Sequence, residues 1–482
     1  MNRKQIVRIL VIVSIAVAVI LLGWTVTDLL TRYAARNEPV MTNPSSETPI
    51  DSVQSNSLPL TIEDSSAIES ESESVLDEIV PEKPEPIIRK VRFSAVGDNL
   101  IHGSIYLQGA ARAAGTGKDY DFTYLYGGFA DFLTHYDVNF INQETLITDE
   151  LAPSHYPCFA TPGEIGREAY RLGWRVFGSS NNHSYDKGAA GISSTLRFWE
   201  SMPDDVVNVG YYRDAEDYMN IRKHTVNDVT IAYLAYTQYT NGIPTPADAE
   251  AHIIYTSQAD IMEQQIRQAK EEADVVVVSV HWGVEDSHTV TQGQKDLAVQ
   301  FGNWGADVII GTHPHVIQTI EMLTNEDGSS TLCAYSLGNF VSAQSRPDEL
   351  IGVALSFDLL LDEEDVLTIE NVQAHPVVTD YGSGYSDVRV LMLKDYTAEE
   401  AAAHGARGSY PEFGYEYIQQ VIRDYIPEEY INWSESEACH SPLSGYPSRY
   451  CRIRLYSAIS CSKETAQLAG LVEGRAIIGC PV

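Results

Sequence analysis

Five short segments of this chain combine the residue types that bind metal ions and support hydrolysis. They are Gly97-Asp98-Asn99, Asn142-Gln143-Glu144, Asn181-Asn182-His183, His281-Trp282-Gly283-Val284-Glu285 and Gly311-Thr312-His313-Pro314-His315. Carboxylate, amide and imidazole groups are typical ligands of hydrolytic divalent-metal centres. Alternate side chains of an extended segment point the same way, so both imidazoles of His313-Pro314-His315 can face one cavity. The pattern predicts a metal-dependent hydrolytic site.

Each segment follows a run of residues that predicts a β-strand. The runs are 91–96, 138–141, 174–180, 275–280 and 307–310, and all but the more polar 174–180 are rich in Val, Ile, Phe and Ala. Buried strands of parallel sheets appear as such apolar runs, and ligands in open α/β sheets gather at the carboxyl ends of the strands. The sequence therefore predicts an α/β sheet that brings the five segments to one edge.

The candidate ligands are two carboxylates, one amide and several imidazoles: Asp98, Glu144, Asn182, His183, His281, His313 and His315. A lone histidine after a strand is more often a hydrogen-bonded structural residue than a ligand. The joint occurrence of His281 and His313 with three other polar strand ends favours a site.

Three residues of these segments have two interpretations each. Asn182 either provides a ligand or ends its strand by bonding its own backbone. Asp186 either begins the following helix or acts in catalysis. Glu285 either orients an imidazole from behind the ligand layer or is a solvated loop acid.

Helix and strand patterns alternate between about residues 89 and 394. Helices are predicted over 162–172, 188–201 and 257–272, the first with Thr161 as N-cap and Pro162 at its first position. Strands are predicted over 229–236, 274–280, 316–322, 331–335, 351–361 and 366–372, with a hairpin turn at 325–328. This order predicts an α/β fold of two packed sheets with helices outside.

The first 88 residues predict an exported protein held at the cell membrane. Arg3, Lys4 and Arg8 precede an uncharged stretch over 9–27 that is long enough to cross a bilayer as a helix, and the positive flank keeps the N-terminus inside. A cleaved signal peptide is the alternative, but no small-x-small site follows. Residues 1–35 are therefore predicted to be a single-pass anchor and 36–88 a disordered acidic linker.

Composition limits the partners. The chain has 67 acidic against 32 basic residues and a formal net charge of −35, which argues against nucleic acid as a partner because phosphate binding needs a basic face.

Cys158 and Cys333 lie in the body, whereas the tail holds Cys439, Cys451, Cys461 and Cys480. An exported domain could pair the tail cysteines, with a connectivity the sequence does not give. The main domain is predicted over 89–395, with an extension of unknown role over 396–482.

Six motifs, in this order, resemble the CapA family of bacterial poly-γ-glutamate capsule biosynthesis proteins, which belongs to the calcineurin-like metallophosphoesterase superfamily. They are Val96-Gly97-Asp98-Asn99, Asn142-Gln143-Glu144-Thr145, the nine residues from Ser180 to Gly188, His281-Trp282-Gly283-Val284-Glu285, the six residues from Gly311 to Val316, and Ser336-Leu337-Gly338-Asn339-Phe340. Thr237 and Asn241-Gly242-Ile243-Pro244 fit as well. The resemblance covers roughly residues 90–345. It implies a four-layer α/β/β/α sandwich in a membrane-attached, extracytoplasmic protein.

The resemblance also implies roles for single residues. Asp98, Glu144, Asn182, His281, His313 and His315 fall at metal-ligand positions. His183 falls at the catalytic histidine, an acid for the leaving group, and we add Asp186 and Glu285 as catalytic candidates. One or two divalent ions are expected, Mn, Fe, Zn or Mg.

Two positions depart from the superfamily pattern. Leu100 stands where many members have the histidine of an Asp-x-His motif, and His102, two residues further on, is a candidate replacement for that ligand. Glu144 replaces the usual bridging aspartate.

Two main functions are consistent with the resemblance. One is a metal-dependent hydrolase in the synthesis, release or anchoring of poly-γ-glutamate or a related anionic envelope polymer. The other, supported by the anchor, the tether and the altered first motif, is a non-catalytic polymer-binding or export partner of a synthase complex. A generic exported phosphodiesterase is a third hypothesis.

Overall fold

Two β-sheets and the helices around them form the part of the chain that the computed structural model describes, residues 88–245, 249 and 252–433. The strands are β1 Arg89–Asn99, β2 Val138–Gln143, β3 Ile147–Thr148, β4 Thr161–Pro162, β5 Val176–Gly178, β6 Val207–Val209, β7 Arg222–Val226, β8 Val229–Thr237, β9 Val275–His281, β10 Val308–Thr312, β11 Ile320–Thr324, β12 Ser330–Ala334, β13 Asn339–Val341, β14 Ile351–Leu361, β15 Leu367–Gly382 and β16 Ser386–Met392. The α-helices are α1 Gly103–Ala113, α2 Thr123–Tyr126, α3 Ala130–Leu133, α4 Glu164–Leu172, α5 Gly188–Glu200, α6 Ala259–Glu272, α7 Gln292–Trp304, α8 Ala398–Ala403 and α9 Tyr415–Tyr425. Short 3-10 helices cover Gly127–Phe129, Asp217–Met219, Pro347–Leu350, Leu393–Asp395, Gly405–Gly408 and Glu428–Tyr430.

Both sheets have a parallel centre. The eight-stranded sheet has the order β16-β15-β14-β1-β2-β5-β6, and β13 pairs in parallel with β1. In it β1, β2, β5 and β6 are parallel, whereas β14, β15 and β16 are antiparallel additions. The six-stranded sheet has the order β11-β12-β10-β9-β8-β7, with a parallel centre of β12, β10, β9 and β8. The carboxyl ends of each parallel set lie at one edge, where sites in such sheets form.

The two sheets face each other across a shared apolar core. Along β9, Val275 and Val277 point into the cluster that also holds the side chains of β1, while Val276, Val278 and Val280 point to the opposite side. Successive strand residues point to opposite faces, so this alternation gives each side of the strand its own core. The outer cluster is completed by buried residues of α6 and α7.

Helices also cover the outer face of the eight-stranded sheet. Phe177 of β5 packs on Trp199 of α5 with ring centroids 4.3 Å apart. Phe340 of β13 packs on Phe129, just before α3, at 4.9 Å. The described residues therefore form a mixed α/β fold of two packed sheets with helices outside, as predicted.

The predicted helix at 162–172 begins two residues late. It runs from Glu164 with Gly163 as its N-cap residue, so the prediction of Thr161 as N-cap was wrong. Thr161 and Pro162 instead pair with β3, and the Thr161 hydroxyl donates to Thr145 Oγ1 at 2.8 Å. These contacts hold Thr161 in a strand. The helix ends before Gly173 as predicted, and α5 and α6 confirm the other two predicted helices within two residues.

The β-rich second half does not form a sheet of its own. Its strands β14 to β16 extend the sheet of β1, and β11 and β12 extend the sheet of β9 and β10. The strand predicted over 316–322 begins only at Ile320, because Gln318 uses its buried amide to donate to the backbone of Ser287 and Gln294 donates to its oxygen. The predicted hairpin turn at 325–328 joins β11 to β12.

The core continues past residue 395, where the sequence suggested that the main domain ends. Phe413, Ile418, Ile422 and Ile426 are buried in the same cluster as β1. No helix in the described residues is long and apolar enough to cross a membrane. The predicted anchor, the predicted linker up to residue 87 and the four tail cysteines lie outside the described residues.

Candidate metal centre

The five polar segments meet where the parallel strands of both sheets end. Asp98 is the second-last residue of β1 and His281 is the last residue of β9, and the other three segments lie at or just after the ends of β2, β5 and β10. The six predicted metal ligands are all buried, and so are His183 and the backbone around it. Glu285 is the exception because its side chain is exposed. The fold thus brings every predicted site residue to one edge of the sandwich.

Asp98 is held by its backbone and its side chain. Its N–H donates to Gly338 O at 3.0 Å, and a Cβ added to Gly97 would lie 1.9 Å from that oxygen, so the strand can pass there only with glycine. Asn142 Nδ2 donates to Asp98 Oδ1 at 2.8 Å, and His315 Nδ1 lies 3.1 Å from Asp98 Oδ2. The carboxylate is therefore fixed from two sides.

Glu144 is fully buried, and neither carboxylate oxygen has a hydrogen-bond partner. Its Oε1 lies 3.6 Å from His281 Nε2 and 3.7 Å from His315 Nε2. Burial raises the pKa of this carboxyl well above its usual value, against the opposing effect of His315. A buried polar group without a partner is costly and needs an explanation. A cation bound between Glu144 and the imidazoles provides one.

His281 points its Nε2 atom at the centre. The Thr312 hydroxyl donates its hydrogen to Val280 O at 3.5 Å, so its oxygen accepts from His281 Nδ1 at 3.0 Å. Because the ring proton is then on Nδ1, Nε2 keeps a lone pair. That atom lies 3.1 Å from Asn182 Oδ1, itself a lone-pair oxygen. Burial lowers the pKa of His281 well below its usual value, so the ring is neutral, as a metal ligand must be.

His313 adds a second imidazole nitrogen at the same place. Its Nδ1 lies 3.1 Å from His281 Nε2, and its Nε2 shares a hydrogen bond with the Tyr239 hydroxyl, which can donate onward to Gly283 O at 3.5 Å. Burial lowers the pKa of His313 to about 3. Its φ of +98° is uncommon for a non-glycine residue. Tyr239 therefore fixes an imidazole whose other nitrogen faces the centre.

His315 has its Nδ1 atom between two acceptors, Asp98 Oδ2 and Asn339 Oδ1, each at 3.1 Å. Burial alone would lower its pKa, but Glu144 and Asp98 together raise the pKa of His315 to about 10. The two carboxyl groups therefore favour the protonated form of this ring when no cation is bound. Its Nε2 atom faces Glu144.

His183 has a different environment. Its Nδ1 bonds Asp186 Oδ2 at 2.8 Å, and the same oxygen accepts from Phe159 N at 2.7 Å. The Phe159 ring packs edge-on against the imidazole with centroids 4.7 Å apart. A carboxylate behind one ring nitrogen orients a histidine, which suits proton transfer through the other nitrogen.

Two overlapping groups of three side chains place ligand atoms within 4.8 Å of one another: Asp98, Glu144 and His315, and Glu285, His313 and His315. Asn182 Nδ2 is 3.5 Å from Glu285 Oε1, so Glu285 reaches the ligand layer despite its exposure. The unpaired oxygens of Glu144, the facing nitrogens of His281 and His313, and this mixed O/N donor set all fit a divalent ion.

Three supporting residues were not predicted from the sequence: Tyr239, Thr312 and Asn339. Thr312 and Asn339 lie inside motifs that the sequence analysis identified, but the motifs did not indicate that these two side chains support the candidate ligands. His102, weighed as a replacement ligand at the altered first motif, belongs to neither group of three. Its Nδ1 instead accepts from Ala343 N at 3.2 Å at the start of α1.

The family model described as bacterial capsule synthesis protein PGA_cap matches residues 92–344. The PGA biosynthesis protein CapA of Bacillus subtilis (strain 168) is 36% identical over 174 residues, which is 36% of this chain and 44% of that protein. The capsule biosynthesis protein CapA of Bacillus anthracis is 33% identical over 186 residues, 38% of this chain and 43% of that protein. The matched segments thus span less than half the length of either relative.

One of the solved structures that resemble the chain is the NAD nucleotidase of Haemophilus influenzae. It is 11% identical, with a TM-score of 0.35 over 70% of this chain and 60% of that one. Similarity at this level does not identify a function.

Proposed function

The chain belongs to the bacterial capsule synthesis protein family PGA_cap, and from this we propose that it acts in the synthesis of poly-γ-glutamate or a related anionic envelope polymer. The names of the two Bacillus relatives support the polymer class. We further propose that the two-sheet fold is a calcineurin-like metallophosphoesterase sandwich, and that it works as a metal-dependent hydrolase.

The observation that carries the hydrolase proposal is the pair of buried, unpartnered oxygens of Glu144 among imidazole nitrogens. Asp98, Glu144, Asn182, His281, His313 and His315 would hold one or two divalent ions, with Glu285 beside them. A divalent ion held by these residues would supply Lewis-acid activation of a phosphoryl or acyl oxygen and of the attacking water.

Side chains of the protein then supply the proton that the leaving group needs. In hydrolysis the attacking water gives its hydroxyl to phosphorus or carbon and its remaining proton to solvent. The departing oxygen or nitrogen takes a proton from the protein, and solvent then replaces that proton. His183 supplies it through Nε2, since Asp186 occupies Nδ1. Asp186 keeps the ring oriented for this transfer.

The location follows from the N-terminal pattern. Arg3, Lys4 and Arg8 before the apolar stretch over 9–27 support a single-pass anchor, and the acidic residues up to 88 support a tether that holds the described domain outside the cell membrane. In this place the domain would meet the growing polymer and the membrane complex that makes it. A net charge of −35 repels a polyanion, so contact with it requires the bound cations.

The test uses the purified full-length chain with two substrates, a chromogenic phosphodiester and γ-linked polyglutamate, each with Mn²⁺ and with a chelator. Wild type is compared with His183→Asn and with His135→Asn, a matched change at an exposed histidine outside the site. Metal-dependent turnover of either substrate that is lost in His183→Asn and kept in His135→Asn supports the hydrolase. Metal-dependent polymer binding without turnover would contradict it and favour the alternative role as a binding or export partner.

A further inference from the structure

The helix α9, Tyr415–Tyr425, lies beyond the segment 92–344 that the family model matches, yet its side chains reach the loops that carry the candidate ligands. We propose that α9 is a working part of the metal centre: through Tyr417 and Tyr425 it fixes His288 and Asp348, and these position the Glu285 loop against the His315 loop. This inference rests on the proposed metal centre. It assigns a role to a segment whose sequence suggested none.

The contact begins with a stacked pair of rings. Tyr425 at the end of α9 lies parallel to His288, with centroids 3.7 Å apart and planes 1° apart. His288 is three residues after Glu285 in the loop that follows β9. Its Nδ1 lies 2.7 Å from the carbonyl oxygen of Ile317, two residues after His315. One imidazole therefore connects the two ligand-bearing loops, and α9 covers its face.

Asp348 holds the other ring nitrogen of His288, and we call these contacts of His288 with Ile317, Asp348 and Tyr425 the His288 clamp. His288 Nε2 lies 3.2 Å from Asp348 Oδ2, and the Tyr417 hydroxyl of α9 donates to Asp348 Oδ1. Both ring nitrogens of His288 thus face oxygen acceptors, and both carboxylate oxygens of Asp348 are engaged. With one face stacked and both nitrogens bonded, the imidazole has little freedom to turn.

The 3-10 helix that contains Asp348, Pro347–Leu350, is also linked to His315 through Asn339. The carbonyl oxygen of Glu349 accepts from Asn339 Nδ2 at 2.8 Å, and Asn339 Oδ1 lies 3.1 Å from His315 Nδ1. Next to this helix, Arg346 forms an ion pair with Asp286, the neighbour of Glu285.

This arrangement makes α9 most important for Glu285, the least buried of the side chains at the candidate centre. Asp98 and Glu144 are enclosed by strands, but Glu285 is exposed and sits on a loop. The backbone contact Asp286 N to Pro314 O, 2.9 Å, and the His288 clamp both hold that loop against the His315 loop. The Gln318 amide, which donates to Ser287 O at 2.8 Å and to Thr289 O at 3.3 Å, joins the same two loops without α9. Groups that orient metal ligands from behind typically change metal affinity about 10–100-fold when removed.

The experiment compares three variants of the full-length chain with wild type. Tyr425→Ala removes the stacking ring, and Tyr425→Phe keeps it. Gln420→Ala is the matched control, because Gln420 is exposed on α9 and bonds only Asp424 within the helix. Two quantities are measured, the Mn²⁺ dissociation constant by competition with a chelator, and amide hydrogen exchange of residues 283–290 and 313–318 in metal-free protein.

We expect Tyr425→Ala to weaken Mn²⁺ binding about 10-fold or more and to speed exchange in both loops, with Tyr425→Phe and Gln420→Ala close to wild type. Faster exchange confined to 415–425, or equal weakening by Gln420→Ala, would overturn the proposal, since either result means that α9 only adds general stability. If wild type binds no Mn²⁺, the proposed function fails, and the exchange data alone still decide whether α9 holds the two loops.

Discussion

Replacing Glu144 by glutamine should stabilise the metal-free protein while removing its response to metal. The wild-type carboxylate is fully buried with two unpartnered oxygens, and burial raises its pKa despite the imidazole of His315 at 3.7 Å. The direction of that shift means that the charged form is unfavourable in the folded chain. An unsatisfied buried polar group costs about 1–3 kcal/mol. Glutamine keeps the shape, removes the charge and offers an amide donor to the neutral His281, whose Nε2 lies 3.6 Å from Glu144 Oε1.

The expected gain in the free energy of unfolding is therefore about 1–3 kcal/mol in chelator near pH 8. The stability that comes from protonated Glu144 is complete below its unfolded-chain pKa, about 4.3, and is lost as the pH rises through the higher folded pKa. The glutamine variant has no such loss, so its advantage over wild type should shrink towards pH 4.

Saturating metal should make wild type more stable than the glutamine variant. A ligand at about 1,000 times its Kd stabilises the native state by about 4.1 kcal/mol, which exceeds the advantage expected for the glutamine variant, and we expect only the protein with an intact carboxylate to gain it. Urea denaturation in chelator and in MnCl2 measures both effects, with Glu326→Gln as the exposed control. A variant that is less stable than wild type in chelator, and gains as much from Mn²⁺, would refute the assignment of Glu144 as an uncompensated ligand.

Three further outcomes follow from single contacts. His183→Asn should lower kcat by about 10²–10⁴ with the bound metal content unchanged, and loss of metal would contradict its role as an acid. Tyr239→Phe removes the hydroxyl bonded to His313 Nε2 and should raise the Mn²⁺ dissociation constant about 10–100-fold, measured by chelator competition; an unchanged constant would show that the ring needs no such support. Gly97→Ala should destabilise the chain by about 1–3 kcal/mol or more in urea denaturation, because its Cβ would meet Gly338 O at 1.9 Å, whereas Gly127→Ala meets nothing within 4 Å and should be near neutral.

The strand-end ligands could be predicted because a single physical rule places them. Parallel strands that are buried on both faces are mostly apolar along their length, so polar residues concentrate where the strands end. Asp98, Glu144 and His281 each follow such a run, and the fold brings them together at one edge. The alternating cores on the two faces of β9 follow from the same pattern.

The supporting residues were not predictable because their contacts depend on how loops return to the sheet. Tyr239 reaches His313 because the backbone after β8 stays paired with β9, with Gln238 N donating to His281 O at 2.9 Å. The stack of Tyr425 on His288 joins segments that are far apart in the chain and outside any periodic pattern. Thr161 fits a helix cap by its type, but tertiary pairing with Ile147 holds it in a strand.

Metal content of the purified full-length chain tests the central claim most directly. Elemental analysis would compare wild type with His281→Ala and His313→Ala, and with His135→Ala as the exposed control. The structure predicts one or two divalent ions per chain in wild type and the control, and a clear loss in both site variants. Wild-type protein that binds no Mn, Fe, Zn or Mg under any loading condition, or site variants that keep the full content, would contradict the account.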